Sequence, residues 1–151
     1  MGGVTQRRFA GRTLSQHGHK AAYTFLFPTG DEPVPKALSH VALMVAHPTR
    51  TARLLTDVFD DARILREEDP ADSHPEVIVA LAGLEFALIR GNGPASRNGD
   101  HIAFAVTKQE QLDCARRMDE LALDYQMARE DTALYFSDYD NHVFELEVVE
   151  S

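Results

Sequence analysis

Two segments of the chain, residues 39–45 and 100–106, alternate apolar residues with small or polar ones in the same order. Each carries a histidine at its second position, so that His40 and His101 stand 61 residues apart. A period of two residues, together with β-branched content, predicts a β-strand that buries one of its faces. The likeness of the segments indicates that the chain contains two copies of one structural unit.

A helix and three short strands are predicted after each of these repeated strands. Residues 48–59 and 108–121 carry apolar side chains at helical spacing. The expected short strands are residues 62–66, 76–82 and 84–90 in the first copy and residues 125–129, 133–137 and 143–149 in the second. The order β-α-β-β-β, taken twice, predicts an α+β fold of two tandem modules that form a paired, curved mixed sheet around a cavity.

The domain organisation follows from this repeat. Module one is expected to span residues 37–91 and module two residues 100–150, joined by a linker at residues 92–99, within one domain of residues 37–151. Residues 1–36 show no sustained period and end in a Pro-rich stretch. They are expected to form an N-terminal extension and a linker.

The second face of each repeated strand begins with a histidine followed by small residues, which is typical of a cavity wall. His40 leads one strand and His101 the other, while parity on the final strand turns Glu145 to the same side. Two imidazoles and a carboxylate suit a divalent metal such as Mn, Fe, Ni or Zn. Ala87 stands where the first copy would have its own carboxylate, which leaves a position open for water or substrate. Two structural histidines and a solvated glutamate are the alternative, and the repetition favours the metal site.

Composition and charge restrict the partners. The chain has 15 Lys and Arg against 24 Asp and Glu, a formal net charge of -9. So acidic a surface repels phosphate backbones and anionic lipids, and we expect neither nucleic acid nor membrane as a partner. Cys114 is the single cysteine, which excludes an intrachain disulfide, and its helical setting predicts a buried small residue. Without an apolar run of about 18 residues, we expect a cytoplasmic protein.

Residues 37–150 resemble the vicinal oxygen chelate superfamily, which includes glyoxalase I, extradiol dioxygenases and fosfomycin-resistance proteins. The resemblance is strongest to FosX-type fosfomycin epoxide hydrolases, through residues 98–106 and through residues 135–146, which read YFSDYDNHVFEL. It implies a metal-dependent hydrolase that adds water to fosfomycin or a related epoxide, with manganese as the favoured metal. His40, His101 and Glu145 match the metal ligands of these proteins.

The resemblance also assigns roles to other residues. Glu76 matches the carboxylate that activates water while the metal polarises the epoxide oxygen. Tyr135 and Ala42 fall at substrate-contact positions, and Glu85 is a second carboxylate that could act as base or as a distant ligand. The resemblance further implies a homodimer whose sites are shared between the two chains.

The chain departs from the family pattern where these enzymes contact the phosphonate. Ala42 replaces a threonine, residues 128–133 form a shorter loop, and Glu147 replaces a histidine. A phosphonate needs fixed positive donors. The remaining cationic candidates are Arg90, Arg97 and Arg129.

Two other functions stay open on the same scaffold. One is a glyoxalase-type isomerase or lyase, or an extradiol dioxygenase, and the other is a non-enzymatic binding protein of the bleomycin-resistance kind. The binding protein would hold no tightly bound metal, which separates it from the enzymes.

Overall fold

The computed structural model describes residues 37–73 and 75–149, so the predicted extension and linker at residues 1–36 lie outside the described residues. Both copies follow the predicted β-α-β-β-β order, and the observed bounds differ from the expected ones only at the ends of elements. In chain order the elements are β1 (His40–Val45), α1 (Pro48–Val58), β2 (Arg63–Arg66), β3 (Glu76–Leu81), β4 (Leu84–Arg90), β5 (His101–Val106), α2 (Lys108–Glu120), β6 (Tyr125–Ala128), β7 (Ala133–Ser137) and β8 (Val143–Val148).

Each module forms a four-stranded mixed sheet, which confirms the predicted α+β class. The strand order is β1-β4-β3-β2 in the first sheet and β5-β8-β7-β6 in the second. The first and last strands of each module run parallel, and the other neighbours run antiparallel. A parallel pair needs a long crossover, which the helix and the two intervening strands supply. Within the described residues, β1 and β5 are edge strands with one neighbour each.

The helix starts are set by local signals in the sequence. Pro48 begins α1, and its fixed φ angle suits the first turn of a helix. Proline lacks a backbone N–H, but an N–H in the first turn would have no acceptor within the helix. At α2, the Thr107 hydroxyl accepts from the Glu110 N–H over 3.2 Å, and the Glu110 carboxylate accepts from the Thr107 N–H over 2.7 Å. The Thr107 N–H and, after it, the Thr107 hydroxyl donate to the Glu110 carboxylate and lower its pKa.

Burial alternates along β1 and β5 as the sequence predicts. Leu43, Val45 and Phe104 are buried on the helix-covered faces. The opposite faces, which we call the open faces, are exposed along both strands. They carry His40, Ala42 and Met44 in the first sheet and His101, Ala103 and Ala105 in the second.

The helix-covered faces of the two sheets share one hydrophobic core. Phe59, just after α1, packs edge-on against Phe104 of β5 with ring centroids 5.3 Å apart, and lies 6.0 Å from Phe136 of β7. Aromatic contacts of this kind add to the free energy of apolar burial. The two modules of one chain are therefore joined through their cores, and the open faces lie outside that junction.

Cys114 of α2 belongs to this core. It is buried, as predicted, and its thiol donates to the Val58 carbonyl over 3.4 Å. Burial raises the pKa of the Cys114 thiol to about 11. The residue is thus a packed, protonated thiol at neutral pH rather than a nucleophile.

The loop before β8 ties the second module to the first. The buried Asp138 accepts from the backbone N–H groups of Asp140 and His142, each over 2.9 Å. This turn aims Asp140 at the end of β1, where its carboxylate accepts from the Ala46 N–H over 3.0 Å. Asn141 donates to the Pro94 carbonyl over 2.8 Å, which anchors the segment between the modules.

The register supports the predicted correspondence between the two copies. Ala42 of β1 pairs with Ala87 of β4, and the equivalent Ala103 of β5 pairs with Glu145 of β8. The second copy therefore has a carboxylate where the first has a methyl group. Among the described residues, neither helix is long and apolar enough to cross a membrane.

Candidate metal centre

His101 and Glu145 meet on the open face of the second sheet. They lie on the paired strands β5 and β8, with His101 Nε2 2.9 Å from Glu145 Oε2. The Glu145 side chain is 3% exposed and that of His101 is 37% exposed. The sequence predicts both as metal ligands, and the fold brings them together because alternate residues of adjacent strands share a face.

A backbone carbonyl shows that Nδ1 of the His101 ring carries a proton. Its Nδ1 lies 2.9 Å from the Gly99 carbonyl oxygen, which only accepts, so Nδ1 carries the ring proton. In the tautomer with its proton on Nδ1 alone, His101 directs the lone pair of Nε2 at a carboxylate oxygen, which is also an acceptor. Two acceptors at this distance need a proton or a metal ion between them. An imidazole held through its other nitrogen by a carbonyl is also the usual arrangement of a metal-ligating histidine.

Two further side chains surround the Glu145 carboxylate. The Tyr135 hydroxyl donates to Glu145 Oε1 over 2.8 Å, and the Arg129 guanidinium lies 2.9 Å from the same oxygen. The hydrogen bond to Glu145, followed by burial, raises the pKa of Tyr135. The charge of Glu145 is the main cause that raises the pKa of Arg129. A buried carboxylate needs such partners because burial disfavours its charge.

His40 lies on the open face of the first sheet, at the exposed start of β1. Within the residues that the structure describes, no group of three His, Cys, Asp or Glu side chains could hold a metal ion. A single chain thus unites two of the three predicted ligands and leaves His40 apart from them. The reason is that the modules join through their helix-covered faces, while all three ligands lie on open faces. The three-ligand centre therefore stays a prediction.

The other candidates on the first sheet share its open face but stand at different levels. Glu85 is the strand partner of His40, and Ala42 lies one level further along β1. Glu76, at the start of β3, pairs with Ile89 at the opposite end of the face. The Glu76 side chain is 26% exposed and forms an ion pair with Arg66.

Of the three cationic candidates, Arg129 is the one that contacts a predicted ligand. Arg90 instead forms a bidentate ion pair with Glu68, at 2.8 Å from each oxygen. Arg97 lines a cavity of about 290 Å³ beside Tyr135. The amino-acid sequence identifies Arg129 as a cation but does not locate it. The signal that could have located Arg129 is its position directly after β6, which pairs with the strand of Tyr135.

Two βαβββ modules, with a histidine leading each parallel pair and one buried carboxylate, define a protein of the vicinal oxygen chelate superfamily. The chain is 32% identical over 115 residues to the fosfomycin resistance protein FosX of Listeria innocua. The matched region covers 72% of this chain and 86% of that protein. The chain belongs to the FosX family of fosfomycin resistance proteins.

Solved structures agree with this assignment. The crystal structure of FosX from Mesorhizobium loti matches with a TM-score of 0.68 at 31% identity, covering 76% of this chain and 92% of that one. A mutant FosX from Listeria monocytogenes, complexed with Mn(II) and 1S,2S-dihydroxypropylphosphonic acid, matches with a TM-score of 0.68 at 26% identity. That match covers 78% of this chain and 95% of the relative. No family model matches the chain.

Proposed function

We propose that this chain is a Mn(II)-dependent epoxide hydrolase that adds water to fosfomycin and yields the vicinal diol. The observation that carries the proposal is the 2.9 Å contact of His101 Nε2 with Glu145 Oε2, which needs a proton or a metal ion between the two atoms, in a chain of the FosX family. The Mn(II) and dihydroxypropylphosphonic acid bound to a FosX relative support the metal and the product. A 1,2-diol is what hydration of an epoxide leaves.

His40, His101 and Glu145 would hold the metal ion. Imidazole nitrogens with a carboxylate oxygen suit manganese, and they also accept iron, nickel or zinc. When bound, the ion acts as a Lewis acid that polarises the epoxide oxygen. The Tyr135 hydroxyl, donating to Glu145, orients the carboxylate for this role.

A homodimer with shared centres would supply the ligand that one chain lacks. The exposed open faces and the edge strands β1 and β5 support this arrangement. An open face of one copy laid against that of a second copy would bring His40 to the His101–Glu145 pair. Such a contact is isologous, so each dimer would contain two equivalent centres.

Glu76 would act as the general base. Its carboxylate would take a proton from a water molecule while the water oxygen attacks an epoxide carbon. The bond from that carbon to the epoxide oxygen breaks, and this oxygen takes a proton from solvent to become the second hydroxyl. Glu76 then returns the proton it received to solvent, which restores its carboxylate. The ion pair with Arg66 fixes the orientation of Glu76. Glu85, beside His40, is the alternative carboxylate for the same step.

Tyr135, Ala42 and Arg97 would lie next to the substrate. The methyl group of Ala42 leaves room on the open face of the first sheet. Arg97, which lines the cavity beside Tyr135, supplies a positive charge for the phosphonate. We also propose that neither nucleic acid nor a membrane is a partner, since the net charge of -9 repels phosphate backbones and anionic lipids. A cytoplasmic location is proposed as well.

The test is hydrolysis of fosfomycin by Mn(II)-loaded protein, followed by phosphorus NMR of the diol. We expect the wild-type chain to form the diol, Glu145→Gln to lose Mn(II) binding, and Glu76→Gln to bind Mn(II) without turnover. Glu120→Gln, which changes a carboxylate paired with Arg116 on α2, is the matched control. Fosfomycin left intact by the Mn(II)-loaded protein would overturn the proposal.

The same preparation separates the other functions. Isomerisation of a glutathione hemithioacetal would indicate the glyoxalase-type reaction, and oxygen consumption with a catechol would indicate the dioxygenase. Ligand binding with no bound metal and no turnover would indicate a bleomycin-resistance-like binding protein.

A further inference from the structure

Among the described residues, Arg129 makes a contact to Glu145 that the proposed reaction does not use. Its guanidinium lies 2.9 Å from Glu145 Oε1 and 3.1 Å from Glu147 Oε1, and it donates to the Tyr135 hydroxyl over 2.7 Å. Guanidinium is charged at every physiological pH. A full positive charge therefore lies against a carboxylate that is predicted to bind a divalent cation.

The backbone holds Arg129 in this place. Arg129, Glu130 and Asp131 have φ angles of 51°, 54° and 64°, a left-handed conformation that disfavours residues other than glycine. The turn persists because the Thr132 N–H and hydroxyl both donate to the Arg129 carbonyl, over 3.1 and 2.7 Å. The Lys108 ammonium donates to the Asp131 carbonyl over 2.5 Å. A conformation that is unfavourable and yet firmly held is common where it serves a site.

The carboxylate of Glu145 is fully engaged by its neighbours. Oε1 accepts from Tyr135 and faces Arg129, while Oε2 faces His101. A divalent cation bound between His101 and Glu145 would share this carboxylate with the guanidinium. Two positive charges on one buried carboxylate repel each other, and solvent at the 52% exposed Arg129 side chain screens this repulsion only in part.

We propose that Arg129 is a positioning residue that competes with the divalent cation for Glu145 and thereby sets the metal affinity of the centre. The inference rests on the proposed function, because it takes Glu145 as a metal ligand. Coupling between two contacts is reciprocal. Binding of the cation therefore weakens the Arg129–Glu145 ion pair by the same free energy by which that ion pair weakens binding of the cation. Glu147, whose side chain is 49% exposed, would keep its ion pair with Arg129 when the cation binds Glu145.

The test is Mn(II) binding, measured by electron paramagnetic resonance of the free ion, on the full chain without substrate. We expect Arg129→Met to bind Mn(II) on the order of tenfold more tightly than the wild-type chain. Arg129→Lys keeps the charge and should stay within about threefold of the wild-type affinity. In a chelator, Arg129→Met should unfold at a lower temperature, since Glu145 loses its counter-charge. Arg116→Met, which removes an exposed arginine from α2, should change neither property.

The direction of the change separates competition from mere structural support. Loss of structural support would weaken Mn(II) binding, whereas loss of a competitor tightens it. Unchanged or weaker binding by Arg129→Met overturns the inference, as does equal tightening by Arg129→Lys. Fosfomycin hydrolysis by the wild-type chain would in that case leave the proposed function standing, whereas a wild-type chain that binds no Mn(II) overturns both. Arg129→Gln, which keeps hydrogen-bond donors without charge, takes the place of Arg129→Met if that variant does not fold.

Discussion

Gly93 lies so close to Asp140 that no side chain fits between them. A Cβ atom on Gly93 would stand 2.6 Å from the Asp140 carbonyl oxygen, 2.8 Å from its Cβ and 3.0 Å from the Met44 carbonyl oxygen. The contact joins the linker between the modules to the loop before β8. Asp140 also accepts from the Ala46 N–H, so this one approach fixes both modules relative to the linker.

We therefore predict that Gly93→Ala destabilises the protein. Two of the three crowded atoms belong to the backbone, which cannot turn away as a side chain can, so we expect a loss of about 2–3 kcal/mol of unfolding free energy. Chemical denaturation would measure it. Gly99→Ala is the matched control, because a Cβ there meets nothing within 4 Å. Equal stability of the two variants would contradict the prediction.

A second prediction concerns the shared centres of the proposed homodimer. His40→Ala and His101→Ala should each abolish fosfomycin hydrolysis. In a mixed dimer, one centre combines both defects and the other has none. Refolding the two variants together in equal amounts should thus restore about a quarter of the wild-type activity, given random pairing. Mixtures that stay inactive, while size measurements show mixed dimers, would place all three ligands within one chain.

A buried hydroxyl in α1 yields a third prediction. Thr51 is fully buried, and among the described residues its Oγ1 has no hydrogen-bond partner. Thr51→Val keeps the shape and the helix propensity but removes the unsatisfied group, so it should raise the unfolding free energy by about 1 kcal/mol. Thr56→Val is the control, because that exposed hydroxyl donates to the Arg53 carbonyl over 3.0 Å. Thermal unfolding would compare them, and a less stable Thr51→Val would contradict the prediction.

The pKa of Cys114 gives a prediction for alkaline pH. Burial raises the pKa of this thiol from 9.0 to about 11, so between these values the folded chain keeps a proton that the unfolded chain has lost. Stability from this group is complete below pH 9.0 and falls as the pH rises toward about 11. Unfolding measured across this window should show a steeper decline in the wild-type chain than in Cys114→Ala, where the raised pKa values of Tyr125 and Tyr135 still contribute. Alkylation of the native thiol below the window should be slow compared with that in denaturant.

The sequence pattern predicts the faces of the strands well. A period of two residues turns His40 and His101 to the open faces. The observed register puts Ala87 of the first module at the position that Glu145 occupies in the second. Parity is a local property of a strand, so a pattern along the chain can reveal it.

Contacts that depend on the path of the chain between elements escape such a pattern. The turn that aims Arg129 at Glu145 has three left-handed residues and no glycine to signal it. The alternation along β1 likewise predicts the face on which His40 lies. It does not predict whether the residues facing His40 belong to the same chain or to a second copy. The first contact depends on a turn within module two, and the second fact depends on how the modules pack, to which the phenylalanine contacts of the core contribute.

The substitution of Ala87 for a second carboxylate bears on how an acidic protein attracts an anion. With two neutral imidazoles and one carboxylate, Glu145, as its ligands, a divalent cation and its ligands would carry a net charge of about +1 at the proposed centre. A glutamate at the Ala87 position of the partner module would cancel that remainder. The methyl group of Ala87 would leave that ligand charge uncancelled, and the local positive charge would attract a phosphonate to the proposed centre in a chain of net charge -9.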